Sequence, residues 1–275
     1  MVTDPPTIAP NRTGRSPKQL AAIVGTVVLA AALGLGVGFA SRPKPPPPSR
    51  VPTSTNSATV RATALYQQTL HAIATSVGFH YVAIYSGMET IVGEAGRSVG
   101  QQVVTGKSSY GVEAFTLVLD ENGALYFQGN APAVEDQLGV STSKTSMIEN
   151  RWVLLVSGNG PYQELASGMT VAEQGVFLPM TPISVASVKV GDRTAAEIIG
   201  TATVDDPESA TLLDVDASSH APLAYSSTAA TTGGPTTSTV RFSAWGTPVA
   251  VTVPSAAIAW STIGAMAPAD GYGGG

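Results

Sequence analysis

The chain has no cysteine. Disulfides, thiolate metal sites and cysteine nucleophiles are therefore excluded. Charge is also scarce. Only 12% of the residues are Asp, Glu, Lys or Arg, against about 25% in ordinary soluble domains, so the surface must rely on hydroxyls and small residues rather than ion pairs. Histidine occurs only at His71, His80 and His220. Their spacing fits no metal motif, and no His-Glu-x-x-His is present. No Gly-x-Ser-x-Gly elbow occurs, so a serine hydrolase has no local signature, although a Ser–His–Asp set can assemble from distant positions. The chain is expected to be neither an enzyme nor a cofactor protein.

What charge there is falls unevenly. Arg12, Arg15, Lys18, Arg42, Lys44 and Arg50 flank one apolar run. After position 50, eight basic residues face eighteen acidic ones, a net charge near −10. Such a body repels nucleic acid and anionic lipid surfaces, so no nucleic-acid partner is expected. Asp205, Asp206, Glu208, Asp214 and Asp216 form an acidic cluster around a strand pattern. It could offer oxygen ligands to calcium, but no EF-hand type of loop accompanies it, and turn chemistry with surface solvation is the expected role.

From Leu20 to Ala40 there is no charge at all. Twenty-one helical residues span about 31 Å, the thickness of a bilayer's hydrocarbon core. The run exceeds the usual ~7–15 apolar residues of a cleaved signal peptide, so an uncleaved single-pass anchor is expected, with cleavage after Ala40 as the rival. Gly34-x-Gly36-x-Gly38 lies inside it and is no dinucleotide loop. Pro43 and Pro45–Pro48 follow. Proline favours extended polyproline II, which could hold a domain up to about 50 Å from the membrane. Flanking charges balance, so orientation follows from layout: a short tail inside (1–19), the helix (20–40), the spacer (41–57), a domain outside (58–264) and a Gly-rich tail (265–275).

Within the domain, Ala62, Leu65, Tyr66, Leu70, Ile73 and Val77 share one helical arc over 59–77. Strand patterns follow at 78–86, 97–106, 111–129 with a turn at Asn122-Gly123, 149–158, 183–204 around Gly191-Asp192, 209–217, 222–227, 238–245 and 247–254. Helical breaks are expected at 131–139 and 161–177. The fold class is α+β: one large curved antiparallel sheet, an unclosed β-barrel, with a few helices on its concave face. In 112–119, Val112, Ala114 and Val118 alternate with Phe115, Leu117 and Leu119, so both faces of the central strands are expected to need cover. Trp152 and Trp245 are expected in strands, buried against helices.

The order of phrases LYFQGNAPAVEDQLGV, NRWVLLVSGNGPYQELASGMT, LLDVDASSHAPLAYS and VRFSAWGTPVAVTVP, behind a leading amphipathic helix, resembles the actinobacterial LppX/LprG-type lipoproteins of the LolA-like superfamily. The resemblance covers most of 59–255. It implies a half-barrel whose space between sheet and helices is apolar and holds acyl chains. It offers no catalytic residues. Those lipoproteins are anchored through a lipidated cysteine; here a transmembrane helix would take its place. The leading expectation is an envelope domain binding a lipid or other amphiphile, or carrying a lipoprotein-like ligand. Phe115, Leu117, Leu119, Leu125 and Phe127 are the candidate lining. The alternative is a tethered interaction or sensor module with a core filled by its own side chains, in which those five residues are simply core.

Overall fold

The computed structural model describes residues 57–264 apart from 87, 175–177, 179, 192, 203–208 and 230–234. The expected anchor at Leu20–Ala40, the spacer and the Gly-rich tail lie outside the described residues. Among the described residues, no helix is long and apolar enough to cross a membrane.

Ser57–Thr75 forms helix α1, burying Ala62, Tyr66, Thr69 and Ile73 on one side. Among the described residues the chain then forms twelve strands of one open, curved sheet. The first five run in sequence: β1 (Gly78–Tyr85), β2 (Glu89–Gly96), β3 (Gly100–Ser108), β4 (Gly111–Leu119) and β5 (Leu125–Gly129). After α2 (Ala131–Leu138) and α3 (Thr142–Thr145) come β6 (Val153–Leu155), α4 (Tyr162–Ala166) and α5 (Val171–Gln174). The second half holds β7 (Thr181–Val190), β8 (Arg193–Thr201), β9 (Ala210–Asp216), β10 (Pro222–Ala229) and β11 (Thr236–Ser243). Finally β12 (Ile258–Ala259) leads into α6 (Trp260–Gly264). The spatial order is β12-β6-β5-β4-β3-β2-β1-β11-β10-β9-β8-β7. Every pair is antiparallel except β12 with β6, so the sheet is mixed rather than purely antiparallel.

Several expectations need correction. Strand β2 was not anticipated: Gly93 and Gly96 break its β propensity, and Glu89 and Glu94 dilute its apolar pattern. It forms because β1 and β3 pair with it on both sides. Residues 247–254 are not a strand. Pro248 and Pro254 lack donors for a ladder. This segment instead lays Val249 across the ends of β1 and β2, where Gly78 and Gly96 leave room for it. The β4–β5 connection is not a two-residue type I′ turn. Among its residues only Gly123 takes a positive φ, 76°. Asp120 organises the loop, its Oδ1 accepting from the N–H groups of Asn122 (2.9 Å) and Ala124 (2.8 Å).

The sheet is not apolar on both faces. In β4 the side chains of Glu113, Phe115, Leu117 and Leu119 turn inward; on the opposite face Val112 and Ala114 are exposed, while Val118 is buried. One face therefore carries the core, and the other is solvated along the first part of β4 and covered only at Val118. The core is two clusters side by side. One joins β3–β6 to α2 and the 165–169 segment. The other joins β1, β2 and β8–β11 to α1. Helix α2 enters the first through a precise local signal. Asn130 caps it, accepting from Ala133 N–H at 3.2 Å, and Gly139 closes it in the left-handed region.

A buried polar chain fastens the α4–α5 connection to the sheet. Gln102 donates to the Tyr81 hydroxyl at 2.6 Å, and Tyr81 donates to the Gly168 carbonyl at 3.5 Å. Gln174 also donates to that carbonyl. Burial raises the Tyr81 hydroxyl well above its ordinary pKa, so it remains a donor throughout the physiological range.

Candidate functional site

The five lining candidates come together as the strand alternation requires. Leu117 pairs with Phe127, Leu119 with Leu125 and Phe115 with Gly129. All point inward beneath α2, against Ala133, Val134 and Leu138. Phe115 and Phe127 stack with centroids 5.5 Å apart. Exposure runs from 0% at Leu125 and Phe127 to 8% at Phe115, so these side chains fill the interior around them.

The interior has a seam. Helix α1 lies over β7 and β8, and α2 over β4 and β5. Among the described residues, Ile91 on β2 is the partly buried apolar side chain that packs against both clusters. Next to it the inward face ends in a polar group. Tyr85 pairs with Glu89, and Glu89 lies against Gly106, whose absent Cβ would meet its side chain at 3.6 Å. Gly106 in turn pairs with Glu113. Gln137 of α2 donates to Glu113 Oε2 at 3.0 Å and to Asp136 Oδ2 at 3.1 Å.

This rim is short of positive charge, and its titration reflects that. Burial pushes the Glu113 carboxyl up to about 7, the Asp136 charge adds to the rise, and the Ser108 hydroxyl and Gln137 amide pull it back. Burial also raises Glu89, again with Asp136 contributing. Tyr85 is pushed up to about 12 by burial and by Glu89. Glu113 Oε1 is buried without a hydrogen bond, which favours the protonated form. A carboxyl whose folded pKa lies above its ordinary 4.5 stabilises the fold below that value. The contribution is lost as pH rises through about 7. Glu113→Gln is therefore expected to flatten the stability profile between pH 5 and pH 8 by about 1–2 kcal/mol, solvent screening at the rim included. Urea titrations at a series of pH values measure this; an unchanged slope in the variant would refute it.

Two concavities stand out, and both lie outside the interior. The smaller, about 270 Å³, is on the solvated face around Val103, Thr116 and Gln128. The larger, about 620 Å³, is a groove between the flank of α1 and the β9–β10 turn. Gln67, Gln68, His71 and Thr75 form one wall, and His220 and Trp245 face them. His71 and His220, read from sequence as a solvated helix residue and a turn residue, thus share one groove. No local signal could reveal this across the long stretch of chain that separates them. Trp245 is not in a strand. It follows β11 in a turn and lies on Phe79 at 4.2 Å, with its indole N–H donating to the Pro222 carbonyl at 2.8 Å.

The acidic cluster is engaged locally where it is described. Asp216 Oδ1 accepts from the N–H and hydroxyl groups of both Ser218 and Ser219 at 2.6–3.0 Å. The Ser218 hydroxyl, followed by the other donors, lowers its pKa well below the carboxylate range. Asp214 is raised by burial. Residues 203–208, with Asp205, Asp206 and Glu208, lie outside the described residues. Among the described residues no three acidic or histidine side chains are grouped to hold a metal.

No protein-family model matches the chain. No curated protein matches it either. Solved structures similar to it include three bacterial proteins. A crystal structure of LprF from Mycobacterium bovis shares 14% identity over 72% of this chain and 99% of that one, with a TM-score of 0.47. The Mycobacterium tuberculosis lipoprotein LppX shares 13% over 70% and 99%, at 0.37. A DUF1329 family protein from Desulfovibrio piger shares 7% over 70% and 95%, at 0.27.

Proposed function

We propose that the chain is a single-pass membrane protein whose extracytoplasmic domain binds a lipid or other amphiphile between the covered face of its sheet and helices α1 and α2. The observation that carries this reading is the divided core: two apolar clusters under two separate helices, bridged by Ile91. A small movement of α1 or α2 away from the sheet would open an apolar slot at Ile91 without breaking a strand pair. Each methylene buried there contributes about 0.8 kcal/mol. The rim of Glu89, Glu113 and Gln137 would meet the polar end of the ligand, with protonated Glu113 as a donor. The uncharged run Leu20–Ala40 supplies the anchor and the Pro-rich spacer the stand-off.

Native mass spectrometry of the full chain, purified from bacterial membranes in mild detergent, tests the binding. The expected result is adducts of lipid mass that disappear in Ile91→Trp, where the indole fills the seam. Repeated absence of adducts from the unmodified protein would sink the reading. The topology has its own test, because the chain is free of cysteine. A cysteine placed at Ser57 is expected to react with a membrane-impermeant maleimide on intact cells, and one at Thr13 is not; the reverse pattern overturns the orientation.

A second reading has an observation of its own. The candidate lining residues are packed as a filled core, and a groove of about 620 Å³ lies elsewhere, on the flank of α1. In that reading the domain is a tethered module that recognises its partner on the outside.

A further inference from the structure

We infer that the groove between α1 and the β9–β10 turn is a binding site for a neutral carbohydrate chain. Its size, about 620 Å³, falls in the range of about 300–1,000 Å³ of small-ligand sites. Its chemistry narrows the ligand. Among the described residues no Asp, Glu, Lys or Arg side chain lines it, and the imidazoles of His71 and His220 are the groups there that can carry a charge. Amide, imidazole and hydroxyl groups stand along the α1 wall, and the surface between them is largely apolar. A neutral molecule with many hydroxyls and an apolar face matches both features of this lining.

The geometry fits such a molecule. Gln67, Gln68, His71 and Thr75 are all exposed on α1. They occupy successive turns, about 5.4 Å apart along the helix axis, close to the length of one pyranose unit. They offer both donors and acceptors to ring hydroxyls. Opposite them Trp245 is half-buried and held from behind, by Phe79 at 4.2 Å, by Phe242 at 5.7 Å and by the bond to Pro222. A fixed indole is a platform for the C–H face of a sugar at little entropic cost. The backbone is bent to present these groups. His220 and Ala244 both take positive φ, 58° and 53°, which is uncommon for residues other than glycine. Asp216 holds the first, its carbonyl accepting from His220 N–H at 3.0 Å. This inference rests on neither reading of the interior.

The test uses the full chain in detergent and its own tryptophan. With Trp152→Phe and Trp260→Phe in place, Trp245 is the single reporter. Its fluorescence is titrated with a linear α-(1→4)-glucan heptaose and an α-mannan hexaose, with a hyaluronan hexasaccharide as the anionic control. The expected result is a saturable change with a neutral glycan, insensitive to salt. In Gln67→Ala/Gln68→Ala, whose exposed positions leave the fold intact, affinity is expected to fall about tenfold. Three outcomes would each overturn the proposal: no response to either neutral glycan at roughly 10 mM, tighter binding of the anionic control, or binding unchanged in the double variant.

Discussion

Phe127→Ala is expected to lower folding stability by about 3–5 kcal/mol. Phe127 is fully buried, pairs with Leu117 across β4 and β5, and stacks on Phe115. Its ring also lies over Gly129, whose absent Cβ would sit 2.8 Å from it. Two consequences follow from that last contact. The ring has no room to shift, and a truncation leaves a void that its neighbours, held by strand pairing and by α2, cannot collapse to fill. The loss is therefore the transfer energy of the ring plus the cost of the cavity. Urea unfolding followed by tryptophan fluorescence measures it, with the midpoint falling and the slope unchanged. A loss below about 1 kcal/mol would mean that Phe127 borders free space rather than a packed core. The same variant bears on ligand binding. If an acyl chain enters only by parting the seam at Ile91, removing Phe127 opens a second apolar space, and adducts should become more abundant rather than fewer.

Gly100→Ala is expected to destabilise the fold by about 2–3 kcal/mol through overpacking. Gly100 opens β3, and the Met169 carbonyl sits where an added methyl would go. The obstacle is backbone on both sides, so no side chain can rotate away. The 167–170 segment crosses the sheet at this point, Thr170 bridging to Gly96, and Gly168 accepts from Tyr81 and Gln174. Pushing Met169 outward would stretch those buried hydrogen bonds. Gly106→Ala in the same strand is the control. Its Cβ would meet nothing closer than 3.5 Å, and replacing glycine reduces the freedom of the unfolded chain, so an effect under about 1 kcal/mol is expected. Parallel thermal melts of the two variants separate the mechanisms. Equal losses would show that the crowding at Gly100 is not the cause.

Much of the fold was legible locally. The arc of Ala62, Tyr66 and Ile73 marks α1, and the alternation of Phe115, Leu117 and Leu119 marks the inward face of β4. The Asn130 cap, followed by the apolar positions of 131–138, marks α2. Where reading failed, a distant partner had overridden a local pattern. Strand β2 looked too polar and too rich in glycine, yet Gly93 is where the Tyr81 ring lies, and a side chain there would collide with it. The apolar alternation at 247–254 looked like a strand, but its prolines and its position across the sheet end leave it without a ladder. Val112, Ala114 and Val118 suggested a second covered face, yet only Val118 is buried, because small apolar residues read alike whether buried or wet.

By itself the sequence determined the chemistry that is impossible here and the elements that form. The absence of cysteine forbids a thiol or a disulfide, the uncharged run Leu20–Ala40 is long enough for a bilayer, and period and turn residues set helix or strand over most of 57–243. These depend on neighbours within a few positions, so they can be read along the chain. Tertiary structure alone decided which side chains meet. Glu113 acquires its raised pKa because the register of β3 and β4 and the seating of α2 bury it and bring the Asp136 charge to it, against the opposing hydrogen bond from Gln137. His71, His220 and Trp245 share a groove only because the sheet folds back beneath α1. Such meetings depend on closure over long loops and on strand register, where a shift of one residue turns every side chain to the opposite face.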